Sequence, residues 1–212
     1  YEEGPAETTK IMRPAQTETL AATESKIMRV PIQGGTPQFV LTASIEEWPR
    51  CARLSATLCA IAERTPDRKQ VVFSVLDPVQ GRGPELARSN VDPKKEYHWD
   101  LSPDGTHIAL LRHRDDRVEI LSLNGVAPRQ IFSKEWKTLS SVFWAADGKG
   151  LFVSSYTPRG ADMLHMDLQG HARLIWEQLG GIEVYGVPSP DGKHLAMRGW
   201  NVEGNIWLME NF

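Results

Sequence analysis

The chain has 212 residues, 41% of them hydrophobic and 24% charged, with a formal net charge of −3. That length holds one large domain or two small ones, and the balance is that of an ordinary soluble globular protein. It supplies no basic stripe for nucleic acid and no polybasic segment for a membrane surface, and no apolar run nears the roughly 18 residues of a membrane span.

Taken in chain order, the opening "YEEGPAETTK" carries neither Met nor a signal-peptide core, so the chain reads as cut from something longer. Tyr1–Glu3 fit the tail of a strand. Residues 4–25, rich in Thr, Ala and Glu without a steady period, read as an insertion loop, with a helix over 16–26 as the alternative. "KIMRVPIQGG" and "TPQFVLT" follow as two strands, closing an incomplete first unit at 1–45. "CARLSA", "LCAIAERT", "KQVVFSVLD" and "GPELARS" fit four strands of a second unit, 46–88. The third, 97–132, has "YHWDL", "THIALLRH", "RVEILSLN" and "APRQIF"; the fourth, 139–176, has "SVFWA", "LFVSSYT", "ADMLHMDL" and "RLIW". The last, 184–212, has "YGVPS", "HLAMRGW" and "NIWLMEN" and stops a strand short.

Asp104, Asp147 and Asp191 mark equivalent turns at steps of 43 and 44 residues. A period of about 40–45 residues with four short strands per repeat is that of propeller blades. The fold expected is therefore all-β: a β-propeller, or part of one, built of four-stranded antiparallel blades and treated as a single region over 1–212. Three full blades and two incomplete ones close as a ring of five or form the end of a ring of six or seven. "ENF" reads as a true terminus, the missing strand coming from the N-terminal side of the ring. Each turn Asp is either a metal ligand or hairpin chemistry, in which Asp caps its own backbone and Gly supplies positive φ. Placement on separate blades favours the hairpin.

Chemistry is sparse. There is no G-x-S-x-G elbow, and "IQGG" and "LGGIEVYG" lack the following helix that a phosphate-binding loop needs. None of the six histidines pairs at H-x-x-x-H spacing and the two cysteines lack C-x-x-C spacing, so neither a metal nor a cofactor is expected, and no catalytic residue. His107 and His194 occupy equivalent places after their turns and read as solvated. Tyr97, His98, Asp100 and Tyr185 fall at or near the starts of inner strands. They read as facing the mouth of a central channel, where a ligand or partner would bind; packing or plain exposure is the alternative.

Trp144, Trp176 and Trp207 lie in apolar strands and read as packing between blades. Trp48, Trp136 and Trp200 fall in or near loops, where Trp136 and Trp200 are candidate partner anchors or, alternatively, satellite packing. Cys51 and Cys59 stand opposite each other across a hairpin turning near Ser55. They form either a disulfide, implying a periplasmic or extracellular compartment, or two free thiols, which a cytoplasmic location would keep.

"LSPDGTHIAL" and "PSPDGKHLAM", each followed by a strand such as "RVEILSLNG", resemble the WD40-like PD40 repeat of TolB-type propellers. The resemblance covers 97–212 well and 26–96 loosely. "WAADGKG" departs by losing Ser-Pro, and "CARLSATLCAIAE" has no Asp-Gly. "VVFSVLDPVQGRGPELAR" together with "WDLSPDGTHIAL" resembles the C-terminal propeller region of multi-domain bacterial regulators, which carry a winged-helix or Ser/Thr kinase domain at the N-terminus. The resemblance implies a non-catalytic scaffold for binding or sensing within such a regulator, with a protein or peptide partner. The charge balance leaves no nucleic acid bound by this region, and an open strand edge at each end of an arc invites pairing, so a homodimer through open blade edges is expected. The alternative is the accessory, substrate-gating propeller of a prolyl-oligopeptidase-type peptidase whose catalytic domain lies elsewhere.

Overall fold

A computed structural model describes residues 24–44, 48–53 and 57–201, which form strands and turns with no helix among them. The first sheet pairs β1 (Glu24–Arg29) with β2 (Gln38–Ser44). The second contains β3 (Arg50–Cys51), β4 (Cys59–Arg64), β5 (Gln70–Asp77) and β6 (Gly81–Asn90) in sequence order. The third contains β7 (Tyr97–Leu101), β8 (His107–Arg112), β9 (Arg117–Ser122) and β10 (Arg129–Phe132). The fourth contains β11 (Leu139–Trp144), β12 (Gly150–Thr157), β13 (Gly160–Asp167) and β14 (Ala172–Leu179). The last pairs β15 (Gly181–Pro188) with β16 (Leu195–Asn201).

Glu24 and Ser25 belong to β1 rather than to a loop. The strand tail at Tyr1–Glu3, residues 4–23 of the expected insertion with most of its helical alternative, and the strand holding Trp207 all lie outside the described residues.

Every strand pair is antiparallel, and the Asp-Gly turns do the reversing. Asp104 Oδ1 accepts the Thr106 N–H at 3.1 Å and the Ser102 hydroxyl at 2.6 Å, and Gly105 takes φ +72°. Asp191 repeats this with the Lys193 N–H at 3.1 Å and the Ser189 hydroxyl at 2.5 Å, ahead of Gly192 at φ +70°. Asp147 Oδ1 accepts the Lys149 N–H at 2.9 Å. These carboxylates are turn caps, spent on their own backbone.

Side chains alternate between the two faces of each strand, so each sheet presents one apolar face to the sheet before it and one to the sheet after. A separate core fills each interface. Leu41, Ala43, Ile61 and Leu76 lie between the first and second sheets, and Phe73, Trp99, Leu101 and Ile108 between the second and third. Leu111, Val118, Leu139, Val142 and Trp144 lie between the third and fourth, and Met163, Ala161 and Val184 between the fourth and last. A succession of sheets stacked face to face, with inner strands β3, β7, β11 and β15 brought together, is an arc of a propeller.

Candidate functional site at the mouth of the inner strands

The inner strands deliver Arg50, His98, Phe143, Tyr185 and Val187 to one cleft of about 480 Å³, which Trp48, Met197 and Arg198 complete. A second cleft of about 200 Å³ shares Trp48, Arg50 and His98 and extends to Arg64, Glu96 and Tyr97. Four sheets thus contribute to one continuous mouth.

Period-two alternation on β7 decides which side chains reach the larger cleft. Tyr97, Trp99 and Leu101 turn toward the second sheet, where Trp99 meets the Phe73 ring at 5.2 Å between centroids. His98 and Asp100 take the opposite face. The expectation that Tyr97, His98 and Asp100 face the mouth together is corrected for Asp100, which lines neither cleft, and His98 alone of the three reaches both. Tyr97 lines only the smaller cleft, under the Arg64 guanidinium 4.8 Å from its ring. Asp100 sits below the mouth, buried to 1% exposure.

Asp100 is the electrostatic floor of the site. Arg53 Nη2 donates to its Oδ2 at 2.5 Å, the Trp144 N–H donates to the same oxygen at 2.9 Å, and Arg50 Nε stands 3.6 Å from Oδ1. Burial pushes this carboxyl above its ordinary range, and Arg53, the Trp144 N–H and Arg50 act against that rise. Arg53 also donates to the Trp144 carbonyl at 3.0 Å, and its own N–H bonds Pro103 O at 3.0 Å, so one residue ties three inner strands. It is held there by the hairpin that begins at β3, where Cys51 and Cys59 pair in register and are joined by a disulfide.

Arg50 rises from this floor into the mouth. Its guanidinium lies 6.0 Å from the Trp99 ring and 5.7 Å from the Phe143 ring, and its Nε is buried without a hydrogen bond. Burial lowers its affinity for the proton, and Asp100 opposes this. Across from it the His98 and Tyr185 rings stand 5.9 Å apart. Burial, with His113 and Arg50 adding to it, holds His98 down at about 4, so the imidazole is neutral at pH 7. Burial also raises the Tyr185 phenol, as does its hydrogen bond to Glu183, so it stays protonated.

One grouping was not visible along the chain. His113 N–H donates to the Glu96 carbonyl at 3.0 Å, continuing the ladder in which Tyr97 opposes Arg112. Glu96, just before β7, and His98 within it therefore meet His113, the first residue after β8, their ligating atoms all within 4.8 Å of one another. A search for H-x-x-x-H tests helical spacing and misses this. Counting outward from the Asp104 turn would have found it.

The tryptophans divide differently from expectation. Trp48 is 67% exposed at the mouth itself. Trp136 is no rim anchor: it packs against the core between the third and fourth sheets and donates Nε1–H to Asp162 at 3.1 Å. Trp176 does not pack between blades; it is 51% exposed because β14 is the outermost strand of its sheet. Trp200 lies within β16 rather than a loop, exposed beneath Arg198, a residue that lines the larger cleft, but it does not itself line either cleft. His107 is half-buried against Trp144 rather than solvated, whereas His194 is exposed.

Solved structures share this succession of sheets. TolB from Acinetobacter baumannii matches with a TM-score of 0.61 at 16% identity, covering 85% of this chain and 44% of that one. A putative TolB from Agrobacterium tumefaciens matches with a TM-score of 0.64 at 17% identity, covering 83% and 63%. The fold is that of a TolB-like propeller. The same fold is matched by a hydrazine synthase from Kuenenia stuttgartiensis, with a TM-score of 0.55 at 14% identity over 82% of this chain and 49% of that one. This chain thus spans from under half to under two thirds of the TolB structures it matches. No family model and no curated protein matches the sequence.

Proposed function

We propose that this TolB-like arc is a non-catalytic recognition scaffold within a larger bacterial regulator, binding a protein or peptide segment at the mouth of its inner strands. The observation that carries the reading is the convergence of Trp48, Arg50, His98, Phe143 and Tyr185 from separate sheets on one cleft. Aromatic faces around a guanidinium that lines the cleft suit a segment bearing a carboxylate, which would pair with Arg50 in a charge-assisted bond. The Cys51–Cys59 disulfide favours an oxidising compartment, the periplasm or the cell exterior. No described helix is long and apolar enough to cross a membrane. Apolar side chains exposed on the last sheet outside the two clefts, Ile182 and Trp200, support self-association of two arcs through their end sheets.

The test is selection of a displayed peptide library on the purified chain, followed by affinity measurement against Arg50→Ala and Tyr185→Phe. The reading expects one enriched motif carrying an acidic residue or free C-terminus, weakened at least about tenfold by Arg50→Ala. No enriched motif, or one bound equally by Arg50→Ala, overturns it.

A further inference from the structure

Among the described residues, one set of side chains joins metal-ligating chemistry from two neighbouring strands, and it opens on the smaller cleft through Glu96 and His98. We infer that Glu96, His98 and His113 form a binding site for zinc(II), with one coordination position left open to that cleft.

The backbone prepares the arrangement. Glu96 stands one residue before β7 and two before His98, and the His113–Glu96 hydrogen bond carries the ladder one step past the Tyr97–Arg112 pair, so the period of two extends to it. The His113–Glu96 hydrogen bond fixes the third residue directly across the ladder at 3.0 Å. Two imidazoles and a carboxylate are a donor set that zinc accepts, and three protein ligands leave a fourth tetrahedral place for water or a ligand group. Ligands about 2.1 Å from a tetrahedral ion stand roughly 3.4 Å apart. The observed separations of up to 4.8 Å close by side-chain rotation of about an ångström, which the exposed Glu96 can supply.

Two further observations point the same way. His113 Nδ1 is buried and has no hydrogen-bond partner, an orphaned acceptor or donor that coordination would satisfy. The rings are also braced from outside the set, His113 by the edge of Tyr156 at 5.6 Å and His98 by Tyr185 at 5.9 Å. Ring packing of this kind restricts the orientations open to the two imidazoles. The nearby cations are engaged elsewhere. Arg50 is drawn to Asp100, and Arg64 donates to the Lys95 and Asp92 carbonyls at 2.5 and 3.3 Å.

The inference stands independently of the recognition reading, since zinc is titrated into the chain with no peptide present. The experiment is calorimetric titration of ZnCl2 into the full chain, untagged and pre-treated with chelator, with Co2+ absorption as a second readout. One zinc per chain is expected, with a dissociation constant on the order of 1 µM or below, and a tetrahedral Co2+ spectrum that zinc abolishes. His98→Ala and His113→Ala are expected to weaken binding more than about 100-fold and Glu96→Gln about tenfold, by comparison with the 10–100-fold cost of losing outer-shell partners. His194→Ala, at an exposed histidine on another sheet, is expected to bind like the unaltered chain. Glu96→Gln, at an exposed strand end, keeps the test decisive if a histidine variant misfolds. Absence of binding by the unaltered chain, or affinity unchanged in Glu96→Gln, overturns the inference.

Discussion

At the scale of single residues, Arg53 and Asp100 carry the largest consequence. Asp100 is 1% exposed, and its only direct side-chain partner at hydrogen-bond distance among the described residues is Arg53. Removing one member of a buried pair strands the other, so Arg53→Ala is expected to cost about 3–5 kcal/mol, read by urea denaturation. A double replacement of both residues by apolar ones is expected to recover much of that loss. The turn caps act more gently. Asp104→Ala removes the acceptor for the Ser102 hydroxyl and Thr106 N–H and is expected to cost about 1 kcal/mol. Asp191 is held below its ordinary value of 3.8 by the Ser189 hydroxyl and Lys193 N–H. Because the folded form binds its proton less readily than the unfolded one, its contribution is complete above that value and disappears as pH falls below it. Thermal midpoints are therefore expected to fall more steeply as pH drops below about 4 for the unaltered chain than for Asp191→Asn.

At the scale of elements, the β3–β4 hairpin positions Arg53, and the disulfide closes that hairpin eight residues apart in sequence. Chain-entropy reasoning for so short a loop gives about 2–3 kcal/mol for the crosslink. Cys51→Ser with Cys59→Ser is expected to lose about that much, and more if Arg53 leaves Asp100; a loss near zero would separate the hairpin from the inner strands. The strands themselves were legible in the sequence because Asp104-Gly105, Asp147-Gly148 and Asp191-Gly192 punctuate them, and because alternation shows where each strand runs. What alternation did not show was which face of β7 looks into the mouth. Tyr97 and His98 adjoin in sequence, yet a one-residue step sends them to opposite sides. Trp136 and Trp176 were misread for a related reason: sequence tells whether a residue is in a strand or a loop, while burial depends on how deep that segment lies in the stack. The Glu96–His98–His113 set was hidden because it is defined across strands, not along one.

At the scale of the whole molecule, consecutive sheets share one core per interface, and among the described residues each of the two end sheets meets a neighbouring sheet on one face. Met28, Val30 and Phe39 on or beside the first sheet, and Ile182 and Trp200 on the last, are exposed apolar side chains in keeping with this. Self-association through them is expected to appear as a concentration-dependent rise in sedimentation coefficient. Trp200→Glu is expected to suppress it; a concentration-independent monomer would contradict the end-sheet reading.

The inner end of the stack is where the sheets meet, and the account stands on recognition occurring there. Hydrogen exchange of the chain, with and without a peptide selected on it, tests this most directly. The account predicts new protection in β7 and β15, at Tyr97–Leu101 and Gly181–Pro188. Protection confined to the outer strands β6, β10 and β14, with the inner strands unchanged, would contradict it.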